Sequence, residues 1–296
     1  MRELTDRGHA AYFLEAKDLR LHNNTLYGHV AKINPDNVRG FVLEDYAWRD
    51  LSHFESIVIR KDPPFDFEYL AAMYLLDFLR PHVFMMNDPA GIRNFNEKLL
   101  PLFFPRRAPV TFAAMTDKDI LRILMEHPSQ TWVLKPSYDK GGNGILLLKP
   151  PYSSQQHNIE SLTRAFPPPY ILQAFISHQT SGDKRILVLG NQILGAFKRI
   201  PPQNDFRANL TIGATAHAAT VTEQEIGIVS DFTAFLTAQG LHLVGFDVLD
   251  GYVTEINVTS PAGIPEINAF DKTKLESMVC DYLEEKIRLY PKPSRT

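Results

Sequence analysis

Cysteine is nearly absent from this sequence: Cys280 is the single one among 296 residues. That excludes an intrachain disulfide and any metal site built from several thiolates, and it fits a reducing compartment. Long apolar runs are missing too. No stretch of about 18 uninterrupted apolar residues occurs, and the opening Met1-Arg-Glu-Leu-Thr-Asp-Arg7 is too charged for a signal peptide, so neither a membrane span nor export is expected. Neither sign of charge dominates. With 31 Lys plus Arg against 34 Asp plus Glu, the net charge of −3 supplies no cationic field for a polyanion, and nucleic acid is not expected as the main partner.

Several catalytic signatures are absent as well. There is no Gly-x-x-x-x-Gly-Lys-[Ser/Thr] loop, no Gly-x-Gly-x-x-Gly, no His-Arg-Asp or Asp-Phe-Gly, and no Gly-x-Ser-x-Gly elbow. The ten histidines are scattered without zinc-ligand spacing. A P-loop enzyme, a dinucleotide enzyme, a protein kinase, a zinc enzyme and a covalent acyl-enzyme are thereby disfavoured together. The expectation is a soluble, cytoplasmic protein in which covalent acyl-enzyme chemistry has no candidate nucleophile.

What is present is an ordinary globular composition, 44% apolar and 22% charged, long enough for roughly two domains or one with a sub-lobe. Proline pairs at Pro63-Pro64, Pro150-Pro151 and Pro201-Pro202, with Pro167 to Pro169, punctuate it. Before Asn87, short apolar runs at Ala11 to Leu14, Ser56 to Ile59 and Val83 to Met86 alternate with helical periodicity over Glu68 to Leu79. The expectation is an open α/β domain with a parallel sheet. Beyond it, strands at Val110 to Phe112, Thr131 to Lys135, Ile145 to Lys149 and Tyr170 to Phe175 read as a small antiparallel lobe. A helix capped by Thr116 and a second one ending at Ala165 belong to it. Hairpins follow around Gly190-Asn191 and Asp250-Gly251, with a helix over Glu223 to Gln239 and a last helix from about Lys272 that carries Cys280 as an apolar filler. The plan is α/β followed by an α+β pair of lobes.

Four segments could carry chemistry. In Gly245-Phe-Asp-Val-Leu-Asp-Gly-Tyr-Val-Thr-Glu-Ile-Asn257, Glu255 and Asn257 leave one face of a strand, and Asp247 can lie opposite them. Three hard oxygen donors would suit Mg2+, which takes its other ligands from water and phosphate; the alternative is the exposed face of a hairpin. Lys135, closing the apolar Trp132-Val-Leu-Lys135, precedes the turn Gly141-Gly-Asn-Gly144, a pattern that fits a phosphate clamp or a plain glycine turn. Arg185, Arg199 and Arg207 stand at strand ends beside a polar loop, where they could neutralise a transferring phosphoryl group or face solvent. Finally, Arg60-Lys-Asp-Pro-Pro-Phe-Asp66 follows an apolar strand, where a substrate-contacting loop or a simple polar turn belongs.

Taken in order, Arg60-Lys-Asp-Pro-Pro-Phe-Asp66, Asn96-Glu-Lys-Leu99, Leu134-Lys-Pro136, Gly182-Asp-Lys-Arg185, Arg199-Ile-Pro201 and Thr254-Glu-Ile-Asn-Val-Thr-Ser-Pro261 resemble the signatures of the bacterial glutathione synthetases, a family of ATP-grasp ligases. The resemblance implies an N-terminal α/β substrate domain over 1–97, an ATP-grasp small lobe over 98–174 and a C-terminal lobe over 175–296. It implies ATP held by Lys98, Lys135 and the loop Gly141, Gly142 and Gly144, with Gln173, Ala174, Phe175 and Ile176 framing the adenine and Asp183 reaching the ribose. By the same resemblance Asp247, Glu255 and Asn257 bind magnesium, two ions being the expectation and manganese a substitute. Arg185, Arg199 and Arg207 act on the reacting groups, and Arg60, Asp62, Ser260 and Pro261 lie near the substrates γ-glutamylcysteine and glycine.

The implied reaction forms an acyl phosphate and then an amide, in a homotetramer or homodimer. Other amino-acid ligases of the ATP-grasp type, or a truncated nucleotide binder without turnover, are the alternatives. Two departures from the family pattern stand out. Met1 to Gly8 reads as the tail of the first helix, so the first strand of the N-terminal sheet is expected to be missing. The loop after Arg199, Pro201-Pro-Gln-Asn-Asp-Phe-Arg-Ala-Asn209, is poorer in glycine.

Overall fold

The computed structural model describes residues 1–36, 40–80, 82–177 and 182–290. It opens with α1 (Arg2–Asp6), β1 (Tyr12–Phe13), β2 (Leu19–His22), β3 (Thr25–Asp36), β4 (Gly40–Asp50) and β5 (Ser56–Val58). It continues through α2 (Phe67–Leu76), β6 (Phe84–Met86) and α3 (Pro89–Asn94). The expected parallel arrangement holds for β5 and β6, which pair in parallel. The run at Ala11 to Leu14 does not join them: β1 pairs antiparallel with β3, which also takes β2 and β4 as antiparallel partners. The reason is in β3 itself, where Leu26, Gly28 and Val30 are buried while Tyr27 and His29 are only half-buried. That period of two marks a strand with one face on the core and one toward water, the habit of antiparallel sheets. Helix α2 starts where Asp66 accepts the Tyr69 N–H at 2.9 Å, so the charged tract after β5 ends on a helix cap.

The next unit contains β7 (Thr111–Ala114), α4 (Asp117–Glu126), β8 (Trp132–Pro136), β9 (Leu146–Leu148), α5 (Gln156–Ala165) and β10 (Tyr170–Ala174). Its strands run β7-β10-β8-β9, all antiparallel, as the sequence led us to expect. Thr116 caps α4 by accepting the Asp119 N–H at 3.2 Å. Ile120, Leu124, Trp132, Leu134, Ile159 and Leu172 form a core that belongs to this lobe alone.

The last unit comprises β11 (Asp183–Leu189), β12 (Gln192–Ile200), β13 (Thr215–Ala218), α6 (Glu223–Ala238), β14 (Leu243–Leu249), β15 (Tyr252–Asn257), α7 (Ile264–Asp271) and α8 (Leu275–Leu289). The sheet order is β13-β12-β11-β14-β15. Both expected hairpins are present. The turn at Asp250-Gly251 has φ of 47° and 79°, the left-handed pair a tight two-residue hairpin requires. Helix α6 begins with a reciprocal capping box between Thr222 and Glu225. The sequence reading placed no helix between the Asp250-Gly251 hairpin and about Lys272, where α7 forms; Pro265 lies in its first turn, where a proline loses no hydrogen bond. Cys280 is buried on α8, as expected of a filler.

The N-terminal unit and this last sheet share one core, in which Val30, Leu51 and Met73 cluster with Phe232, Phe246 and Val258. Buried Asn87 joins them by hydrogen bonds. Its amide nitrogen donates to the carbonyls of Leu243 and Val258 at 2.8 and 2.7 Å, and its oxygen accepts the N–H groups of His242 and Leu243 at 2.7 and 2.8 Å. The small lobe, with its separate core, is therefore the part able to move against the rest. Among the described residues no helix is long and apolar enough to cross a membrane.

Candidate active site

A cavity of about 650 Å³ opens where the small lobe faces the five-stranded sheet. Its cationic wall begins after α3. The Asn96 side-chain Oδ1 accepts the N–H groups of Lys98 and Leu99 at 3.0 and 3.3 Å, and its Nδ2 donates to Ser137 O at 3.0 Å. That turn fixes Lys98, whose ammonium donates to Asp139 O at 2.7 Å and stands 3.4 Å from Glu255 Oε1. Lys135, on β8, donates to Gln173 Oε1 at 2.8 Å, and burial pushes its ammonium below the ordinary lysine range. The glycine turn lies beside it. Gly142 has φ of 80°, a backbone shape that strains any L side chain, and a Cβ there would come within 2.8 Å of Asn209 Oδ1. Gly141 and Gly142 line the cavity with Asn143. Gly144 does another job: a Cβ there would strike the Phe166 ring at 2.6 Å, so it packs the turn onto its lobe.

The opposite wall is the β11-β14-β15 ladder. Asp247 pairs across with Glu255 on one side and Arg185 on the other, and Gly245 pairs with Asn257. Glu255, Asn257 and Asp247 therefore converge as the sequence reading required, and all three line the cavity with Lys98 and Lys135. Asp247, however, is already engaged. Arg185 Nε donates to its Oδ1 at 2.6 Å and Nη2 to its Oδ2 at 3.1 Å, while Arg199 Nη2 reaches Oδ2 at 3.1 Å. Burial alone would raise the Asp247 carboxyl, but the two guanidiniums outweigh it and hold the group well below the usual carboxylate range. Arg199 also pairs with Asp183, and the remaining Arg185 fork donates to Ala262 O at 3.1 Å. These two arginines thus spend much of their hydrogen-bonding capacity on the protein itself.

Loops flank the mouth of the cavity. Arg207, held by Asp205 through several short contacts, donates from Nη1 to Gly142 O at 3.1 Å. Phe206 meets Phe175 edge to face, with ring centres 6.2 Å apart, at the end of β10. On the other rim, Asp62 accepts from Ser260 Oγ at 2.6 Å and from Lys140 Nζ at 2.5 Å. Arg60 donates to Pro261 O at 3.0 Å. Asp62 and Ser260 line the cavity, whereas exposed Arg60 and buried Pro261 do not. Gln173, Ala174, Phe175 and Ile176 border it as well, although the Gln173 side chain is turned to Lys135 and, through Nε2, to Thr111 Oγ1 at 3.2 Å.

Among the cavity residues not singled out in the sequence is a glutamate. Glu97, adjoining Lys98, is half-buried, and desolvation with Glu255 nearby raises its carboxyl above the ordinary range. A lone glutamate in a short polar connection carries no periodicity to mark it; its only signal was its place inside Asn96-Glu-Lys-Leu99.

A separately cored α/β lobe facing a sheet that carries carboxylates, with two lysines lining the cavity between them, is the construction of the ATP-grasp ligases, and comparison bears this out. The structure is similar to a D-cycloserine synthetase (TM-score 0.61, 15% identity, 82% of this chain and 86% of that one) and to the ATP-grasp ligase PsnB complexed with minimal precursor (TM-score 0.61, 16% identity, 96% and 93%). A D-alanine–D-alanine ligase from Bacillus anthracis complexed with ATP aligns with a TM-score of 0.54, at 13% identity over 74% and 76%. The protein is an ATP-dependent carbon–nitrogen ligase of this fold, a class that uses ATP and divalent metal ions.

Residues 1–93 match the prokaryotic glutathione synthetase N-terminal domain and residues 97–272 the ATP-grasp domain of the same family. Glutathione synthetases of Brucella melitensis and Gloeobacter violaceus are 32% and 35% identical, over 95% and 97% of this chain and 90% and 91% of theirs. That of Thermosynechococcus vestitus is 38% identical over 82% of this chain and 76% of its own. The chain belongs to the prokaryotic glutathione synthetase family.

Proposed function

We propose that the protein joins γ-glutamylcysteine to glycine, with ATP becoming ADP and phosphate, through an acyl phosphate. One observation carries the reading: Lys98 and Lys135 stand across a single cavity from Glu255 and Asn257, under a glycine turn. In the first step an oxygen of the cysteinyl carboxylate attacks the γ-phosphorus and the bond to the β-phosphate oxygen breaks, releasing ADP. In the second the neutral amine of glycine adds to the acyl carbon, phosphate departs, and the amine proton is lost to form the amide. Two anions must meet in the first step, so positioning and charge neutralisation do the work.

Lys98 and Lys135 fit the triphosphate, Gly141 and Gly142 offer backbone N–H groups to it, and the strand end Gln173 to Ile176 borders the base. Asp183 is at hand for the ribose hydroxyls while paired with Arg199. The donor set also suits magnesium. Asn257 uses its amide nitrogen on Gly245 O and Asp247 Oδ2, at 3.2 and 3.3 Å, which leaves its oxygen for a cation beside the Glu255 carboxylate. Asp247 offers Oδ1, its less engaged oxygen. Bound there with the nucleotide, magnesium would supply positive charge to the phosphates. Arg207, Arg185 and Arg199 ring the space left for the carboxylates, and Asp62 and Ser260 line its rim. Domain limits of 1–97, 98–174 and 175–296 accommodate the three groups of strands. A reducing cytoplasm suits a thiol substrate and the lone buried Cys280.

The test is release of ADP with γ-glutamylcysteine and glycine, supplied separately and together. Release that depends on the dipeptide, and amide formation only with both, is expected. Turnover with another amino-acid pair at equal efficiency, or ATP binding without product, overturns the reading.

A further inference from the structure

Strand β15 ends at Asn257, and the chain then runs without a sheet partner through Ser260 to Gly263 along the cavity wall. Val258 and Thr259 are buried, so their N–H groups cannot turn to water for a partner. One side-chain oxygen takes both. Glu97 Oε1 accepts the N–H of Val258 at 2.7 Å, the N–H of Thr259 at 2.9 Å and the Thr259 hydroxyl at 2.8 Å. The main-chain oxygen of the same residue accepts the Ile256 N–H at 3.0 Å. Four bonds from one residue thus fasten the root of a segment some 160 positions away in sequence. The neighbouring Lys98 reaches Glu255 on the same strand, so consecutive residues grip the strand from which the metal-facing groups issue and the loop that follows it.

We infer that Glu97 is a positioning residue for the substrate-side loop Val258 to Gly263: it sets the path on which Ser260 meets Asp62 and on which Ala262 meets Arg185. The inference rests on the reading above, in which this loop borders the dipeptide and glycine. What Glu97 contributes is an acceptor at one point rather than a charge. Its side-chain Oε1 is committed to the loop, and removing it leaves two buried N–H groups unpaired just where the loop departs from the sheet.

The experiment compares Glu97→Ala, Glu97→Gln and the unaltered enzyme. In Glu97→Ala, KM for γ-glutamylcysteine and for glycine should rise about tenfold or more, the equivalent of one strong hydrogen bond lost. Nucleotide affinity, read by titration with a fluorescent ATP analogue, should stay within about threefold of the unaltered enzyme. Glu97→Gln, which keeps an oxygen at that point, should restore both KM values to within about threefold. Unchanged KM values in Glu97→Ala, an equal loss of nucleotide and substrate binding, or a Glu97→Gln as impaired as the alanine variant would each overturn the proposal. Should Glu97→Ala fail to fold, Thr259→Val removes one of the three donors and is expected to raise the same KM values about twofold to fivefold, and no change would count against it. An unaltered enzyme that makes no glutathione would strike the functional reading instead, before any variant is compared.

Discussion

Arg185 and Asp247 meet as a two-pronged ion pair inside the cavity, Nε to Oδ1 at 2.6 Å and Nη2 to Oδ2 at 3.1 Å, with both side chains more than nine-tenths buried. The pair sits where the Arg185 side chain crosses Gly245, whose Cβ position is only 3.1 Å from Arg185 Cδ. A carboxylate expected to serve a cation is therefore first a partner of two guanidiniums. Its deprotonated form is secured by the protein before any ligand arrives.

Arg185→Ala leaves Asp247 with only Arg199 to offset its burial. The expected loss is about 3 kcal/mol of unfolding free energy, since removing one member of a buried pair strands the other. Urea unfolding at neutral pH measures it, and a midpoint equal to that of the parent protein would contradict the account.

Glu255→Gln keeps the shape of the strand and removes its charge. Because Glu255 is a fifth exposed and lies at the cavity wall, the melting temperature should move by no more than about 3 °C, while kcat for ADP release falls on the order of 100-fold or more. Retention of turnover close to the parent value would remove Glu255 from the proposed site.

The contact between Lys140 and Asp62 joins the glycine turn to the opposite rim of the cavity. Both residues are well exposed, and breaking the contact should not alter stability measurably. Its effect should appear in fidelity. An acyl phosphate that meets water is hydrolysed, so Lys140→Ala should raise the phosphate released per glutathione formed from about one to about two or more. A ratio that stays at one would show that other contacts suffice to keep the mouth shut.

His242 gives a pH prediction away from the site. Burial, with Lys286 nearby, lowers it to about 4, and its Nδ1 lies 2.8 Å from the Tyr282 hydroxyl, with the Phe84 ring on another side. A histidine whose folded value lies below its unfolded value of about 6.5 favours folding only while neutral. Its contribution is complete above about pH 6.5 and is lost as the pH falls toward 4. Unfolding free energy should drop by roughly 2 to 3 kcal/mol between pH 7 and 4.5 on this account, and His242→Gln should flatten that part of the profile. Parallel profiles for the two proteins would exclude His242 as the cause.

Local signals carried much of the fold. Gly190-Asn191 and Asp250-Gly251 marked hairpins because few residues accept positive φ. Thr116 marked a helix start because its hydroxyl can cap one. The long hairpin of β3 and β4 escaped notice. Its outer strand keeps Glu44, Asp45 and Tyr46 exposed in a row, with Asp45 at φ 53°, and this breaks the alternation by which a strand is recognised.

The site divides along the same line. The sequence by itself determined that a lysine would close β8 before a glycine turn, and that Glu255 and Asn257 would share a strand face, because strand periodicity and turn chemistry act over a few residues. Only the tertiary structure decided that Asp247 would be claimed by Arg185 and Arg199, that Gly144 would pack on Phe166 while Gly142 received Arg207, and that Glu97 would hold the Val258 to Thr259 turn. Those partners are brought together by the burial of a common core, and which donor meets which acceptor across it depends on packing that no local pattern encodes.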